Sequence, residues 1–223
     1  VFYAIKGTLP TQANRAVAVL SSMLTFAEKQ GKRTPGTNPC RAVEKVPENH
    51  MTRHLNAEET GRLLDTLQAQ ESRYPYQVRL IRLLLLTGAR LREINNCRWG
   101  ETAGGNPLHP YLDLAGGRIV CVDHKSSREK GAKDILLSKA ALAVIKSLKP
   151  LRLGSPYLFP SPDDRDKPLA NPHHAWLTVK PKDGKPRPGI RDLAGLPDVR
   201  LHDLRHSFGT LSVTLNQNIT LRQ

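Results

Sequence analysis

LLLLTGARLREI, residues 83 to 94, decides how the rest of this chain is read. From Leu80 to Leu86 the sequence is apolar on nearly every side, the mark of a helix buried in the middle of a domain. Gly88 can take a left-handed backbone, so the helix is predicted to end there and the chain to turn. A second short helix, within ARLREINNCRW, is predicted to follow directly. Arg90 then stands at a helix junction where a ligand can approach closely, and Glu93, three residues on, can brace its guanidinium. Taken singly, such an Arg/Glu pair is more often an ordinary surface ion pair.

Working toward the N-terminus, Asn56 followed by Glu59 is a capping-box pattern and predicts a helix over about 57 to 69. TQANRAVAVLSSMLTFAEKQ, 11 to 30, alternates apolar and polar positions at helical spacing, with Gly31 as a stop. Between these helices, GKRTPGTNPCRAVEKVPENHMTR is rich in Pro, Gly and basic residues and reads as a linker. It places a domain boundary near residue 50, with a helical piece plus linker in 1–50 and the main domain in 51–223.

Toward the C-terminus the period changes at 111. YLDL and RIVCVD flank glycines able to take φ > 0, which predicts a β-hairpin. KDILLS, 133 to 138, can complete a small antiparallel sheet, with the basic HKSSREKGAK as the connection. Helix returns at KAALAVIKSLK, a loop-rich basic stretch covers 154 to 198, and the chain closes on a helix containing LHDLRHSFGT, 201 to 210. The fold class is mainly α with a small antiparallel β-sheet (α+β).

The charge balance narrows the partner. Against 20 Asp+Glu stand 34 Lys+Arg, a net +14 over 223 residues, and such a chain is built to meet a polyanion. Nucleic acid is the commonest one, although charge alone leaves RNA and an acidic membrane surface open. The apolar run at 83–86 falls far short of the roughly 20 residues of a membrane span, and no stretch near the N-terminus has a signal-peptide layout. Cys40, Cys97 and Cys121 form no CxxC pair, which argues against a disulfide framework or a cysteine-rich zinc site and fits a reducing cytoplasm.

In LHDLRHSFGT, Leu201, Leu204, Phe208 and Leu211 share one side of a helix, while His202, Arg205, His206 and Gly209 share another. Two readings compete with a plain solvated face. His202 and His206 at i, i+4 suggest zinc, but Asp203 is shorter than the glutamate of HExxH, and His173 and His174 sit in a Pro-bounded loop; no metal site is assigned. His202 with Arg205 suggests phosphate handling, and Arg90 with Arg205 could grip the non-bridging oxygens of one phosphodiester.

Together these residues resemble the tyrosine recombinase (phage integrase) family. The resemblance rests on TGARLRE at 87–93, a lysine in a β-hairpin connection and LHDLRHSFGT, in the family's order; PYLFPSP at 156–162 and AGLPDVR at 194–200 add to it. It covers about residues 54 to 223 as the catalytic domain, with 11 to 46 similar to the end of the helical core-binding domain. It implies the tyrosine recombinase catalytic-domain fold and site-specific DNA recombination without cofactor or metal. The catalytic set it implies is Arg90, Lys125, His202 and Arg205, supported by Glu93 and His206. Lys130 and Lys133 are alternatives for the lysine, and with Lys182, Lys185 and Arg187 they are candidate DNA contacts. The implied partners are duplex DNA and, for a full-length enzyme, a homo-tetramer on that DNA, in a bacterial or phage-encoded, nucleoid-associated setting.

In the family a tyrosine several turns beyond the HxxR box attacks phosphorus. Here Tyr3, Tyr74, Tyr76, Tyr111 and Tyr157 all precede His202. The expectation is therefore a piece of a longer integrase, trimmed at both ends, that binds DNA without cutting it. A type IB topoisomerase-like activity and a non-catalytic DNA-binding protein are the alternatives.

Overall fold

The computed structural model describes residues 2–48, 53–100, 109–122, 131–180 and 184–210. The chain divides into two compact units, Val1–Met51 and Thr52–Gln223.

In the first unit, α1 (Phe2–Ile5) leads into α2 (Pro10–Lys29), which begins on a proline whose missing N–H would have had no helical partner. Residues 31–46, linker-like in composition, fold back on α2. Buried Asn38 starts a 3₁₀ turn, Pro39–Ala42, and its amide donates to the Ser21 carbonyl at 2.9 Å and the Thr25 hydroxyl at 3.0 Å. Asn14 does the same further on, accepting from the Val46 N–H at 3.0 Å and donating to its carbonyl at 2.7 Å. Phe2, Ala13, Val17 and Cys40 form the small core between them.

The second unit begins with α3 (Ala57–Ala69), whose capping box has both hydrogen bonds in place: Glu59 N–H to Asn56 at 2.8 Å and Asn56 N–H to Glu59 at 2.9 Å. α4 (Pro75–Thr87) buries Val78, Leu80, Ile81, Leu83 and Leu84, as an all-round apolar sequence requires, and packs against α6 (Lys139–Leu148). α5 (Leu91–Asn95) is shorter than ARLREINNCRW suggests. The backbone from Cys97 to Trp99 is claimed by neighbours instead, since the Arg98 N–H donates to the Pro110 carbonyl at 2.8 Å and the Cys97 carbonyl accepts from Leu158 at 2.9 Å. Tertiary pairing here overrides helix propensity.

Strands β1 (Tyr111–Asp113), β2 (Arg118–Cys121) and β3 (Lys133–Leu136) form an antiparallel sheet in the order β1-β2-β3, with Cys121 opposite Lys133. A short α7 (Ile190–Leu193) precedes α8, residues 203–210. One core runs through the unit, with Trp176 and Phe159 as its largest fully buried side chains; the Trp176 indole N–H is satisfied by the Val199 carbonyl at 3.1 Å. Among the described residues, no helix is long and apolar enough to cross a membrane.

Candidate active site

The site is organised by the turn that ends α4. Gly88 sits at φ +58°, and its N–H closes the helix on the Leu84 carbonyl at 3.0 Å. The left-handed conformation favours glycine, and so does space: a Cβ at 88 would stand 2.3 Å from the Phe208 ring. The Gly88 carbonyl accepts a hydrogen bond from the Arg205 guanidinium. One residue therefore both turns the chain toward Arg90 and holds the arginine of the HxxR box, 117 positions away.

Arg90 is the N-cap of α5. Its backbone N–H donates to Glu93 Oε2 at 2.8 Å, and its Nη1 donates to Oε1 at 3.0 Å. The same Glu93 Oε2 accepts from Lys133 Nζ at 2.8 Å, which ties the start of β3 to the start of α5. Burial alone would push the Glu93 carboxyl up, but the Lys133 and Arg90 hydrogen bonds outweigh it and hold the group below the ordinary carboxylate range. The buried Cys121 thiol, opposite Lys133, is pushed up to about 11 by burial and then by the Glu93 charge, so it is a packing thiol and no nucleophile at neutral pH.

An open cleft of about 400 Å³ lies between these elements, lined by Gly88, Ala89, Lys133, Asp134, Arg205 and Phe208 among others. Arg205 has no carboxylate within ion-pair distance among the described residues, and Asp134 is engaged by Arg118 at 2.7 Å. Counting Arg90, Lys133 and Arg205 against Glu93, the surroundings of the cleft carry a net positive charge suited to a phosphate.

α8 is anchored from behind. Asp203, fully buried, accepts the Arg200 N–H at 2.8 Å and its Nη2 at 2.7 Å, while Ser207 accepts the Leu55 N–H at 2.9 Å. Leu201 and Leu204 are buried on this side, as helical spacing predicts, and Phe208 is half-buried. The burial of Asp203 and Ser207 is not what their residue types suggest. With Asp203 taken by Arg200, it is not placed to serve as a base between the two histidines. His202 and His206 are exposed and meet edge to face with ring centroids 5.3 Å apart. Although the residue is exposed, partial desolvation of its ring, then His206 and Arg205, hold the His202 imidazole below its ordinary value.

Of the residues singled out in the sequence, the fold thus brings together Arg90, Glu93, Lys133 and Arg205, with His206 on the exposed side of α8 and His202 exposed in the turn just before it. Lys185 and Arg187 stand apart, exposed on a loop where Arg187 pairs with Val179. Lys125, Lys130 and Lys182 lie outside the described residues, as does Leu211. Sequence reasoning missed the Gly88 carbonyl as the seat of Arg205 and the Arg200–Asp203 pair. The second had a local signal, an arginine followed three residues later by an acid, the same spacing as Arg90 and Glu93.

No protein-family model matches the sequence, and no curated protein sequence matches it. Solved structures do. The chain is similar to the Tn1549 transposon integrase in complex with circular intermediate DNA, at 13% identity and a TM-score of 0.60 over 96% of this chain and 70% of that one. It is similar to a lambda integrase tetramer bound to a Holliday junction, at 18% identity and 0.58 over 93% of this chain and 55% of that one. The XerH site-specific recombinase bound to its difH substrate follows at 18% and 0.50, over 99% and 59%. This chain thus spans little more than half the length of the latter two. At these identities the likeness establishes the fold: mainly helical with one small antiparallel sheet, the tyrosine recombinase catalytic-domain fold.

Proposed function

We propose that this chain is the DNA-handling part of a site-specific tyrosine recombinase, and that its cleft receives one phosphodiester of duplex DNA. The observation that carries this is the convergence of Arg90 and Arg205, far apart in sequence, on the single turn at Gly88, with Lys133 on the facing strand. Planar guanidinium forks suit the non-bridging oxygens, and fixed cations beside a phosphorane do the work that a metal does elsewhere.

In the reaction of such an enzyme, a tyrosine oxygen forms a bond to phosphorus as the P–O5′ bond breaks. The tyrosine proton leaves through a base and the departing 5′-oxygen is protonated by an acid. Lys125 is our assignment for that acid and His202 for the group assisting at the tyrosine. Glu93 and His206 support them, while Lys130, Lys182, Lys185 and Arg187 hold the DNA backbone. All five tyrosines precede His202, and two of them are held in other roles. The Tyr76 hydroxyl donates to the Leu151 carbonyl, and Tyr157 is buried under Arg98. On this reading the 223-residue chain binds DNA without cutting it. Assembly into a homo-tetramer on DNA belongs to the same proposal for the full-length enzyme, and the first unit is its core-binding part.

Fluorescence anisotropy with a duplex of about 30 base pairs tests the reading. Affinity should fall steeply, by about 10³-fold or more, between roughly 50 and 200 mM salt if six or more phosphates are contacted. Arg205→Ala should weaken binding about tenfold. Salt-insensitive binding, or an Arg205→Ala variant that binds like the parent chain, would sink it.

A further inference from the structure

We propose that Arg53 is a positioning residue: it clasps the stretch that carries His202 and Arg205, and so sets Arg205 toward its phosphate, without touching DNA itself. The inference rests on the phosphate-handling reading above.

Arg53 lies in the basic stretch just ahead of α3, where a DNA backbone contact is the first expectation for an arginine. Its hydrogen bonds point elsewhere. Nε donates to Asp198 at 2.6 Å, Nη1 to Glu59 at 2.9 Å and to the His54 carbonyl at 2.6 Å, and Nη2 to Glu59 at 2.7 Å. Its donors are thus nearly all engaged, and its one charge stands against two carboxylates, so none is left over for a phosphate.

Two residues on, the Leu55 N–H donates to Ser207 Oγ at 2.9 Å, and the Leu55 side chain is fixed in the core. The segment 53–55 therefore holds the later chain at two points, Asp198 ahead of α8 and Ser207 within it, 145 and 152 positions away. His202 and Arg205 lie between those points. The Arg200–Asp203 pair stiffens this stretch but, lying wholly within it, cannot locate it against the rest of the unit. Arg53 can, because its other arm is tied to Glu59 in the capping box of α3. Arg205, whose guanidinium reaches the Gly88 carbonyl and lines the cleft, takes its direction from that clasp.

The test reads duplex affinity of the 223-residue chain and its variants by anisotropy, with thermal melting alongside to confirm that each is folded. Asp198→Ala removes the outer arm of the clasp and leaves the Arg53–Glu59 pair and the capping box intact; Asp198 itself is 61% exposed, so folding is spared. Deleting an exposed carboxylate makes the chain more basic, which by charge alone should tighten binding to a polyanion. Positioning has the opposite sign: binding should weaken about fivefold, while Asp198→Glu stays within about twofold of the parent chain. Unchanged or tighter binding by Asp198→Ala overturns the inference. The loss should also vanish in an Arg205→Ala background, since the clasp acts through that arginine, and a loss that persists there would assign the effect to another part of the surface. Arg53→Ala should add no fall in salt slope to that of Arg205→Ala, whereas a further fall of about one would make Arg53 a phosphate contact in its own right. If Arg205→Ala itself binds like the parent chain, the phosphate reading falls and takes this inference with it; failure of the clasp alone leaves Arg205→Ala weak.

Discussion

Two arginine–acid pairs in the second unit, each three residues apart and each leading into a helix, are built alike and serve different ends. At α5, Arg90 places its N–H on Glu93 at 2.8 Å; just before α8, Arg200 places its N–H on Asp203, also at 2.8 Å. In each an acid three residues on takes the arginine's backbone amide, at α5 as the acid half of a capping box and at 200–203 across the turn that leads into α8, and each arginine also puts its guanidinium on that acid. The difference lies in what else the acid holds. Asp203 engages Arg200 through Nε and Nη2 together, so that pair is closed and neutral. Glu93 takes only Nη1 of Arg90 and accepts Lys133 as well, so the cluster keeps a positive charge and unused donors. The same local motif is scaffold where the charges cancel and a candidate site where they do not.

The largest way to break this contrast is at the turn that links the two helix starts. Gly88→Ala would force a Cβ against the Phe208 ring at a backbone angle that disfavours it, and should lower stability by about 3 kcal/mol in urea unfolding. Gly195 has a similar φ of +68° but open space around it, so Gly195→Ala should lower stability by only about 1 kcal/mol. Equal effects would mean that the Phe208 contact contributes nothing. Next in size is the scaffold acid. Asp203→Ala removes a buried carboxylate and the lock on the start of α8, and should lower stability by about 2 kcal/mol. The arginines then separate the two pairs by function. Arg90→Ala should weaken duplex binding about tenfold with little change in melting, whereas Arg200→Ala should lower the melting temperature by a few degrees and leave the salt slope intact. The reverse pattern would exchange the roles given to the two pairs.

Most of the second unit's elements were legible because their signals are local. The ends of α3 and α4 are written by Asn56, Glu59 and Gly88, and the three strands by a change of period around glycines. The length of α5 was not, since what stops it is backbone pairing with Pro110 and Leu158, distant in sequence. The site was half legible for the same reason. Arg90 and Glu93 are three residues apart and can be paired on paper. Nothing local says that Lys133 reaches Glu93 across 40 positions or that Arg205 rests on the Gly88 carbonyl. The buried face of α8 shows the limit of apolar periodicity: Asp203 and Ser207 are buried because Arg200 and the Leu55 N–H satisfy them, and hydrophobicity carries no record of such partners.

The smallest effect is a pH dependence that the two acids should divide between them. Both are held below their ordinary values in the fold, so the unfolded chain binds more protons than the native one as pH falls, and stability is lost on acidification. For Glu93 the contribution is complete above the ordinary value of 4.5 and disappears as pH drops through the lower folded value; for Asp203 the loss starts below 3.8. In acid titrations followed by circular dichroism, Glu93→Gln should therefore flatten the upper part of the transition and Asp203→Asn the lower part. Salt should distinguish them further. Glu93 owes its depression to Lys133 and Arg90, whose side chains are 31% and 45% exposed, so added salt should weaken that part by screening. Asp203 is 0% exposed, against 8% for Glu93, and Arg200, itself 49% exposed, grips it through two nitrogens where Arg90 uses one, so it should respond less. A Glu93 transition indifferent to salt would mean that its neighbours hold it as Arg200 holds Asp203, and the distinction between an open cluster and a closed pair would fall.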